Sequence, residues 1–450
     1  MDKLECQFCK KTYPLDVFFP FCPDCQEPML VSLPRRRRSF SDASAHSLEV
    51  YHDFLPLGRV DRRLSLGEGN TPLVALHRIS RKYSLPAVFA KNETMNPTQS
   101  FKDRGTAVVV QKAVELGIKK LGTVSTGNMA SSTAAYAAKS GLKAYILLKD
   151  DTTAEKIRST GIHGSVLVKF RGDYASLFRE SYRLGRKHGI YFANSIDPLR
   201  IEGYKVTSYE IFRQIGDRAP RRIFCPVSSA GHLIGLMRGF SDLREAGYLT
   251  EAPQFVGVQA SGCSPLVRAF AQNRERSRRW ARPRTLAHAI SNPEPPGGRL
   301  ALKWIRESGG CLVAVSDTEI LRAQKNLAEL EGIFADPASA TVLAALVKLS
   351  RREGARFRGD SVLVITGSGL KSMETLTRQS VTLRRVGVGR LEKEISGHRL
   401  FNSHLSLSSE MLLPERTRAT VLSLSRSFIF RAAASGEAPA SSARFRMSSR

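Results

Sequence analysis

The stretch NPTQSFKDRG, residues 96–105, places a lysine where its amine could act as a nucleophile. A proline fixes the direction of the chain before it, and the apolar run after it predicts a buried helix. A lysine amine is nucleophilic when it is neutral, and burial and nearby positive charge both favour the neutral form. Phe101 and Arg104 flank Lys102 and could supply these two effects. The segment therefore predicts an amine that condenses with an aldehyde, although most lysines at helix starts are simply solvated.

Three strand-to-helix turns carry small and polar residues suited to a phosphorylated, electron-withdrawing ligand. In VSTGNMASS (residues 124–132) the backbone can approach a ligand closely, and Asn128 could donate a hydrogen bond to a phenolate oxygen. In CPVSSAGHLIG (residues 225–235) the N–H groups of a helix start could hold a phosphate monoester. VITGSGLKS offers the neutral hydroxyl of Thr366 or Ser368. Each turn alone is a weak signal, because glycine and serine open many helices only as caps.

Four of the seven cysteines lie within the first 25 residues, in the pattern C-x2-C-x12-C-x2-C. These four are Cys6, Cys9, Cys22 and Cys25. Each C-x-x-C pair can present two thiolates to one tetrahedral ion, so the pattern predicts a small ribbon with a structural Zn²⁺ ion. A ribbon without metal and a pair of disulfides are the alternatives. Cys225, Cys263 and Cys311 have no partner at ligand spacing and are predicted to be buried small residues.

Short apolar runs alternate with amphipathic helical patterns through most of the chain. This alternation predicts an α/β fold with doubly wound parallel sheets, in which ligands bind at the carboxyl ends of the strands. The predicted organisation is a zinc-ribbon-like segment at 1–31, a basic linker at 32–66 and a catalytic core of two lobes at 67–375. The smaller lobe covers about 105–200. Residues 376–450 are rich in Ser, Arg and Ala, which predicts a disordered, low-complexity tail.

The formal charge of +28 raises the possibility of nucleic-acid binding. The two densest basic runs are RRRR at 35–38 and RERSRRWARPR at 274–284, and the single aromatic residue in them, Trp280, does not make a repeated pattern of basic and stacking residues. Solvated linkers are therefore the favoured interpretation, with nucleic-acid binding as the runner-up. The sequence has no run of 18 apolar residues, and its first ten residues are too polar for a signal peptide. We expect a cytoplasmic protein that does not enter membranes.

Together these motifs resemble the fold-type II pyridoxal-phosphate enzymes, and within them most closely the threonine synthase family. GEGNTPL (residues 67–73), NPTQSFKDRG and STGN (residues 125–128) match family motifs, and the two-knuckle ribbon also occurs in relatives. The similarity covers about residues 67–371 and implies two lobes like those of the tryptophan synthase β chain. It implies that Lys102 forms the Schiff base, Asn128 contacts the pyridoxal oxygen and Thr366 faces the ring nitrogen. The implied cofactor-binding residues are Lys102, Asn128, Ser228, Ser229, Ala230, Gly231, His232 and Thr366.

The segment NSIDPLRIEGYK, residues 194–205, is similar to the threonine synthase segment that holds the phosphate of O-phosphohomoserine. The implied substrate-binding residues are Ser125, Thr126, Asn194, Ser195 and Arg200. A guanidinium group fits phosphate geometry, although a loop arginine in a salt bridge is the alternative for Arg200. The chain departs from the family pattern at Gln99, where glycine is common, at Met129, where threonine is frequent, and in the sequence SSAGH of the phosphate turn.

The resemblance implies a lyase that converts O-phosphohomoserine and water to threonine and phosphate, in a homodimer. Cysteate synthase chemistry with O-phosphoserine and sulfite, and a threonine or serine dehydratase, are the enzymatic alternatives. A catalytically idle relative that binds nucleic acid or a partner through its basic linkers is the alternative outside catalysis.

Overall fold

Strands and helices alternate through most of the chain, as the apolar patterns predict. The computed structural model describes residues 2–34, 38–41, 46–150, 152–172 and 174–378. The predicted low-complexity tail beyond residue 378 lies outside the described residues.

Thirteen strands and twelve α-helices lie within the part of the chain that the structure describes. The strands are β1 Lys3–Cys6, β2 Thr12–Pro14, β3 Met29–Ser32, β4 Leu73–Ala75, β5 Val88–Asn92, β6 Lys120–Val124, β7 Lys143–Lys149, β8 Val166–Phe170, β9 Tyr191–Phe192, β10 Arg222–Pro226, β11 Gln254–Ala260, β12 Cys311–Val315 and β13 Ser361–Ile365. The helices are α1 Ser47–Val50, α2 His77–Lys82, α3 Lys102–Glu115, α4 Asn128–Lys139, α5 Ala154–Gly161, α6 Tyr174–His188, α7 Pro198–Gln214, α8 Gly231–Glu245, α9 Pro265–Ala271, α10 Gly298–Glu307, α11 Asp317–Glu331 and α12 Pro337–Glu353.

The N-terminal ribbon is an antiparallel sheet with the strand order β2-β1-β3. It is too small to bury a core of its own and packs on α6 instead. The ring of Phe21 makes edge contacts with Tyr182 at a centroid distance of 5.5 Å and with Phe178 at 6.4 Å. This packing attaches the ribbon to the smaller lobe.

Two sheets form the lobes of the core. The smaller sheet is parallel throughout, with the order β8-β7-β6-β9. The larger sheet has the order β12-β11-β10-β13-β5-β4, and only the edge strand β4 runs antiparallel to its neighbour. Strands β10 and β13 are buried along their whole length, as expected for strands covered by helices on both faces. The fold is the two-lobed, doubly wound α/β architecture that the sequence predicts.

Helix α7 lies in the interior and fixes the position of α3, which begins at Lys102. Every residue of α7 from Pro198 to Phe212 is buried. A side chain at Gly203 would collide with the backbone carbonyl of Arg104, so only glycine allows α3 and α7 to approach this closely. The first turn of α3 is therefore held against residues of α7.

A buried ion network holds the GEGNTPL segment and α7 to the start of α3. Arg104 pairs with Glu93 at 2.5 Å and with Glu210 at 2.6 Å. Lys91 also pairs with Glu210, at 2.6 Å, and the other oxygen of Glu210 accepts a hydrogen bond from the backbone of Asn70 at 2.6 Å. Because charges this deeply buried are costly when unpaired, the network fixes the relative positions of these segments.

Arg38 is the one residue of the RRRR run that the described ranges include. Its side chain is 8% exposed and pairs with Asp242 at 3.4 Å. This arginine is therefore packed against the core, in contrast to the solvated linker that the sequence suggested. None of the helices in the described ranges is both long and apolar enough to cross a membrane.

Candidate active site

Lys102 is the first residue of α3, and its amine lies against aromatic rings. Nζ is 4.2 Å from the ring centroid of Phe101 and 5.6 Å from that of Tyr204. Burial and the positive charge of Arg200 lower the pKa of Lys102 to about 7. Near neutral pH a large fraction of this amine is therefore in the nucleophilic, uncharged form.

The sequence suggested that Arg104 supplies the positive charge near Lys102. In the structure this charge comes from Arg200. The Arg104 guanidinium is bound by the carboxylates of Glu93 and Glu210 in the buried network. Its charge is neutralised there, whereas Arg200 reaches the lysine from α7. The sequence could not show this, because Arg104 lies only two residues after Lys102 whereas Arg200 is brought to it by α7.

The loop before Lys102 is hydrogen-bonded to the turn that follows β13. The N–H of Phe101 donates to the carbonyl of Thr366 at 3.0 Å, and the N–H of Ser368 donates to the carbonyl of Gln99 at 3.1 Å. Gln99 has a φ of 58°, in the left-handed region that favours glycine. This explains why glycine is common at this position in the resembled family, and the two hydrogen bonds stabilise the loop despite the glutamine.

The Thr366 hydroxyl is oriented by Ser339, a residue at the start of α12. The two hydroxyl oxygens are 2.8 Å apart, and Ser339 Oγ also accepts a hydrogen bond from the Gly367 N–H at 2.8 Å. Asn128 opens α4 in the other lobe, and its amide nitrogen would lie 3.1 Å from a Cβ placed at Gly367. The structure thus brings the predicted asparagine loop and the predicted hydroxyl turn together.

The predicted phosphate turn leads into α8. Ala230 precedes the helix in the left-handed conformation, with a φ of 74°, and no side chain caps the helix start. The first N–H groups of α8 can therefore meet an anion, in the manner of phosphate sites at helix N-termini. Ser229 lies on this turn, where its hydroxyl accepts hydrogen bonds from Ser195 at 2.9 Å and from Asn292 at 3.1 Å.

His232 joins the phosphate turn to the lysine loop. Its ring stacks on that of Phe101, with the centroids 3.8 Å apart and the planes 10° apart. Burial lowers the pKa of His232 well below its ordinary value, so the imidazole is neutral. Its Nε2 is buried without a hydrogen-bond partner in the described structure. This atom is therefore available to form a hydrogen bond with a bound group.

The predicted substrate segment has two internally bonded side chains. Arg200 Nε donates to the carbonyl of Ala193 at 2.6 Å, and its terminal nitrogens donate to the hydroxyls of Thr106 and Thr133 at 2.7 Å each. Asn194 accepts a hydrogen bond from Val124 N at 2.8 Å.

The amide nitrogen of Asn194 donates to Ser181 Oγ at 3.0 Å, so this side chain connects β6 to α6. Ser195, by contrast, directs its hydroxyl to Ser229. Ser125 and Thr126 are partly exposed in the turn that precedes Asn128.

The sequence family described as pyridoxal-phosphate dependent enzyme matches residues 64–368. This range contains every residue of the candidate active site described above. The chain belongs to this family.

The curated relatives of this pyridoxal-phosphate-dependent enzyme include several threonine synthases. That of Methanocaldococcus jannaschii is 35% identical over 384 residues, which are 84% of this chain and 94% of the relative. That of Methanosarcina acetivorans is 38% identical over 332 residues, with coverage of 73% and 81%. That of Mycobacterium tuberculosis is 33% identical, with coverage of 76% and 92%. Within the pyridoxal-phosphate-dependent enzymes, the chain therefore belongs to the threonine synthase family.

Solved structures of other pyridoxal-phosphate-dependent enzymes share the fold. Threonine deaminase isoform 2 from Solanum lycopersicum superposes with a TM-score of 0.60 at 18% identity, covering 78% of this chain and 98% of that one. Maize serine racemase gives a TM-score of 0.57 at 18% identity, with coverage of 73% and 94%. Identities this low bear on the fold alone.

The residues of this pyridoxal-phosphate-dependent enzyme fit its cofactor. An amine of lowered pKa suits the aldehyde, the uncapped start of α8 suits the phosphate, and Thr366 offers an uncharged hydroxyl. Ser339 and Tyr204 were not predicted. Tyr204 lies four residues after Arg200, so helical spacing alone could have placed both on one face of α7. The Asp-Pro pair before α12 signals a helix start, but no local signal connects Ser339 to Thr366.

A second candidate site lies in the ribbon. The four cysteine sulfurs are within 4.8 Å of one another, and those of Cys9 and Cys22 are 3.7 Å apart. Tetrahedral zinc with Zn–S bonds of about 2.3 Å separates its sulfurs by about 3.8 Å. The two knuckles have the same backbone form, because the N–H of Lys10 donates to the carbonyl of Cys6 at 3.0 Å and that of Gln26 donates to Cys22 at 2.9 Å. The arrangement fits a closed, four-cysteine structural metal site.

Proposed function

We propose that this chain converts O-phosphohomoserine and water into threonine and phosphate. The observation that carries the proposal is the lysine amine of lowered pKa beside Arg200, in a chain whose curated relatives are threonine synthases. In this environment one residue can exchange protons near neutral pH while a neighbouring cation attracts a phosphorylated substrate.

The cofactor would be held by groups from both lobes. Lys102 Nζ would bond to its aldehyde carbon, the N–H groups at the start of α8 would hold its phosphate, and Asn128 would donate to its phenolate oxygen. Bound there, pyridoxal phosphate supplies an electron sink for bonds at the substrate Cα. Thr366 would face the ring nitrogen with its hydroxyl. Ser339 supports this role, since its hydroxyl oxygen lies 2.8 Å from Thr366 Oγ1 and so fixes the position of the threonine side chain.

Lys102 would move the protons of the reaction. Its Nζ, a large fraction of which is neutral near pH 7, can take a proton from the substrate and return it later. In the overall reaction the Cγ–O bond breaks and phosphate leaves with the electron pair. Protons lost from Cα and Cβ are replaced at Cα and Cγ, and the oxygen of water bonds to Cβ. Phe101 and Tyr204 limit access of bulk water to the amine.

The substrate phosphate would lie between Ser195 and Arg200. Ser195 is 8% exposed, and its hydroxyl lies 2.9 Å from that of Ser229 on the phosphate turn. This position suits it to donate a hydrogen bond to the substrate phosphate. Arg200 would act through its charge and its terminal nitrogens, in exchange with the threonine hydroxyls that it now contacts. Direct contacts from Asn194, Ser125 and Thr126 to the substrate stay predictions.

A phosphate-release assay tests the proposal. The purified holoenzyme is given O-phosphohomoserine, or O-phosphoserine with and without sulfite, and the products are identified by mass spectrometry. Equimolar phosphate and threonine from O-phosphohomoserine is the expected result. Sulfite-dependent phosphate release from O-phosphoserine would indicate the cysteate synthase alternative, and ammonia from threonine or serine would indicate a dehydratase. A protein that binds cofactor but acts on none of these substrates would contradict the proposal.

We also propose that the ribbon cysteines hold one structural zinc ion, because four thiolates leave no open coordination position. A homodimer and a cytoplasmic location follow from the family resemblance and the sequence, and both stay proposals. Light scattering of the purified holoenzyme measures its mass and so tests the dimer directly.

A further inference from the structure

A cavity of about 340 Å³ lies where the ribbon, α6 and the segment before α10 meet. The ribbon contributes Phe21, Gln26 and Glu27, and α6 contributes Phe178. Phe21, Gln26 and Glu27 flank Cys22 and Cys25, so the second pair of cysteines in the ribbon lies beside one wall of the cavity.

The inner end of the cavity reaches the candidate active site. Ser195 and Ser229 both line it, each is 8% exposed, and their hydroxyl oxygens are 2.9 Å apart. Asn292, another lining residue, donates to Ser229 Oγ at 3.1 Å. Ser195 is proposed above to lie beside the substrate phosphate, and Ser229 belongs to the turn assigned to the cofactor phosphate. A molecule that crosses the cavity therefore arrives at the phosphate end of the site.

The outer part of the cavity carries an excess of positive charge. Four arginines line it against two carboxylates: Arg179, Arg276, Arg279, Arg299, Glu27 and Glu294. Two of these arginines come from the basic run 274–284, which the sequence analysis interpreted as a solvated linker. Most residues of this run are exposed, and Arg276 and Arg279 also contribute their charge to the cavity wall.

Glu27 is a buried carboxylate in the ribbon wall of the cavity. It is 5% exposed and pairs with Arg276 at 2.6 Å and with Arg299 at 3.3 Å. These ion pairs attach the ribbon wall to the core and neutralise part of the charge. Arg179 and Arg279 are exposed at the rim, on α6 and on the basic run respectively.

We propose that this cavity is the entrance for the substrate, and that Arg179 and Arg279 select doubly negative molecules by attracting their phosphate. The inference rests on the proposed function for the identity of the substrate. A cleft with an excess of charge of one sign concentrates the field and raises the local concentration of ions of the opposite sign. Each arginine attracts a dianion about twice as strongly as a monoanion at the same distance, and salt screens this attraction.

The test compares two double variants of the holoenzyme. R179Q/R279Q removes two positive charges from the rim, and R81Q/R351Q removes two from exposed positions on α2 and α12 that do not line the cavity. At about 20 mM salt, kcat/KM for O-phosphohomoserine should fall about 10-fold in the first variant, through KM more than kcat. At about 0.5 M salt the loss should shrink to below about 2-fold. The control variant should match the parent at both salt concentrations.

Titration calorimetry with inorganic phosphate gives a readout that needs no turnover. At low salt, R179Q/R279Q should bind phosphate about 5-fold more weakly than the parent, with R81Q/R351Q unchanged. Unaltered KM and phosphate affinity in R179Q/R279Q, or equal losses in both variants, would overturn the inference. If the parent does not turn over O-phosphohomoserine but phosphate binding still depends on Arg179 and Arg279, the proposed reaction fails and the anion entrance stands.

Discussion

The imidazole of His232 stacks on the phenyl ring of Phe101, with the ring centroids 3.8 Å apart and the planes inclined by only 10°. The phenyl ring in turn lies 4.2 Å from Nζ of Lys102. His232 belongs to the turn that we assign to the cofactor phosphate, so this stack connects the two ends of the cofactor site. Tyr204 completes the group, with its ring 5.0 Å from Phe101 and 5.4 Å from His232.

The lowered pKa of Lys102 predicts how the apoenzyme takes up pyridoxal phosphate. Only the neutral amine attacks the aldehyde, and the pKa is lowered from 10.5 to about 7 by burial and Arg200. The rate of cofactor capture, followed by absorbance, should therefore rise through pH 7 and level off above about pH 8. Borohydride should then fix the cofactor on Lys102, and K102A should give no labelled peptide.

Arg200 provides the matched control for this pH dependence. Removing its positive charge favours the ammonium form, so R200Q should shift the capture curve to higher pH. Circular dichroism checks that the variant folds, because Arg200 also bonds to Thr106 and Thr133. A midpoint above pH 9 in the parent protein would show that the lysine is not perturbed as the structure indicates.

Replacement of His232 should weaken cofactor binding without abolishing it. H232A removes the stacked ring and leaves Phe101 without its neighbour, an interaction of about 0.5–1.5 kcal/mol. The dissociation constant for pyridoxal phosphate, measured by absorbance titration, should rise about 3- to 10-fold. H232F keeps a flat ring and should recover part of the affinity. Equal binding by H232A and the parent would count against the role of the stack.

Ser339 should matter for turnover although it lies outside every motif. S339A leaves Thr366 without the hydroxyl that is 2.8 Å away and frees the Gly367 N–H from its bond. We expect kcat to fall about 10-fold, which corresponds to about 1.4 kcal/mol, with a shifted absorbance maximum of the bound cofactor. S339T retains the hydroxyl and is the control. An unchanged cofactor spectrum in S339A would contradict a positioning role.

The buried network around Arg104 predicts a large effect on stability. R104Q leaves the carboxylates of Glu93 and Glu210 buried without their guanidinium partner, which typically costs about 3–5 kcal/mol. Urea unfolding should show this loss in the free energy of unfolding. R183Q removes an exposed arginine that pairs with Glu180 and should change the unfolding midpoint little. Similar midpoints for the two variants would mean that the network does not fix the core.

Zinc content tests the metal proposal. C25S removes one of four ligands and should abolish stoichiometric zinc in the purified protein, measured by elemental analysis, and should make the ribbon sensitive to limited proteolysis. C311A changes a cysteine outside the ribbon and should keep one zinc ion per chain. A parent protein without zinc, or a C25S variant that retains it, would rule out the four-cysteine site.

Much of the fold could be predicted because its signals are local. Apolar runs such as SVLVITG and RIFCPV coincide with β13 and β10, since strands buried on both faces are continuously apolar. In the core, the sequence patterns did not identify β4, β12 or the helices α1, α2, α5, α7, α9, α10 and α11. Helix α7 escapes periodicity because it is buried on every side and thus has no polar face to mark it.

The sequence by itself determined which groups could do chemistry: one lysine between an aromatic residue and an acid, three small-residue turns and two cysteine knuckles. These signals are short because each depends on neighbouring residues in one turn or helix start. Only the tertiary structure decided that Arg200 rather than Arg104 acts on Lys102, that Ser339 orients Thr366 and that arginines of the basic run line a cavity. Such pairings join residues on different strands, helices and turns that are far from neighbours along the chain, and packing between these elements fixes them.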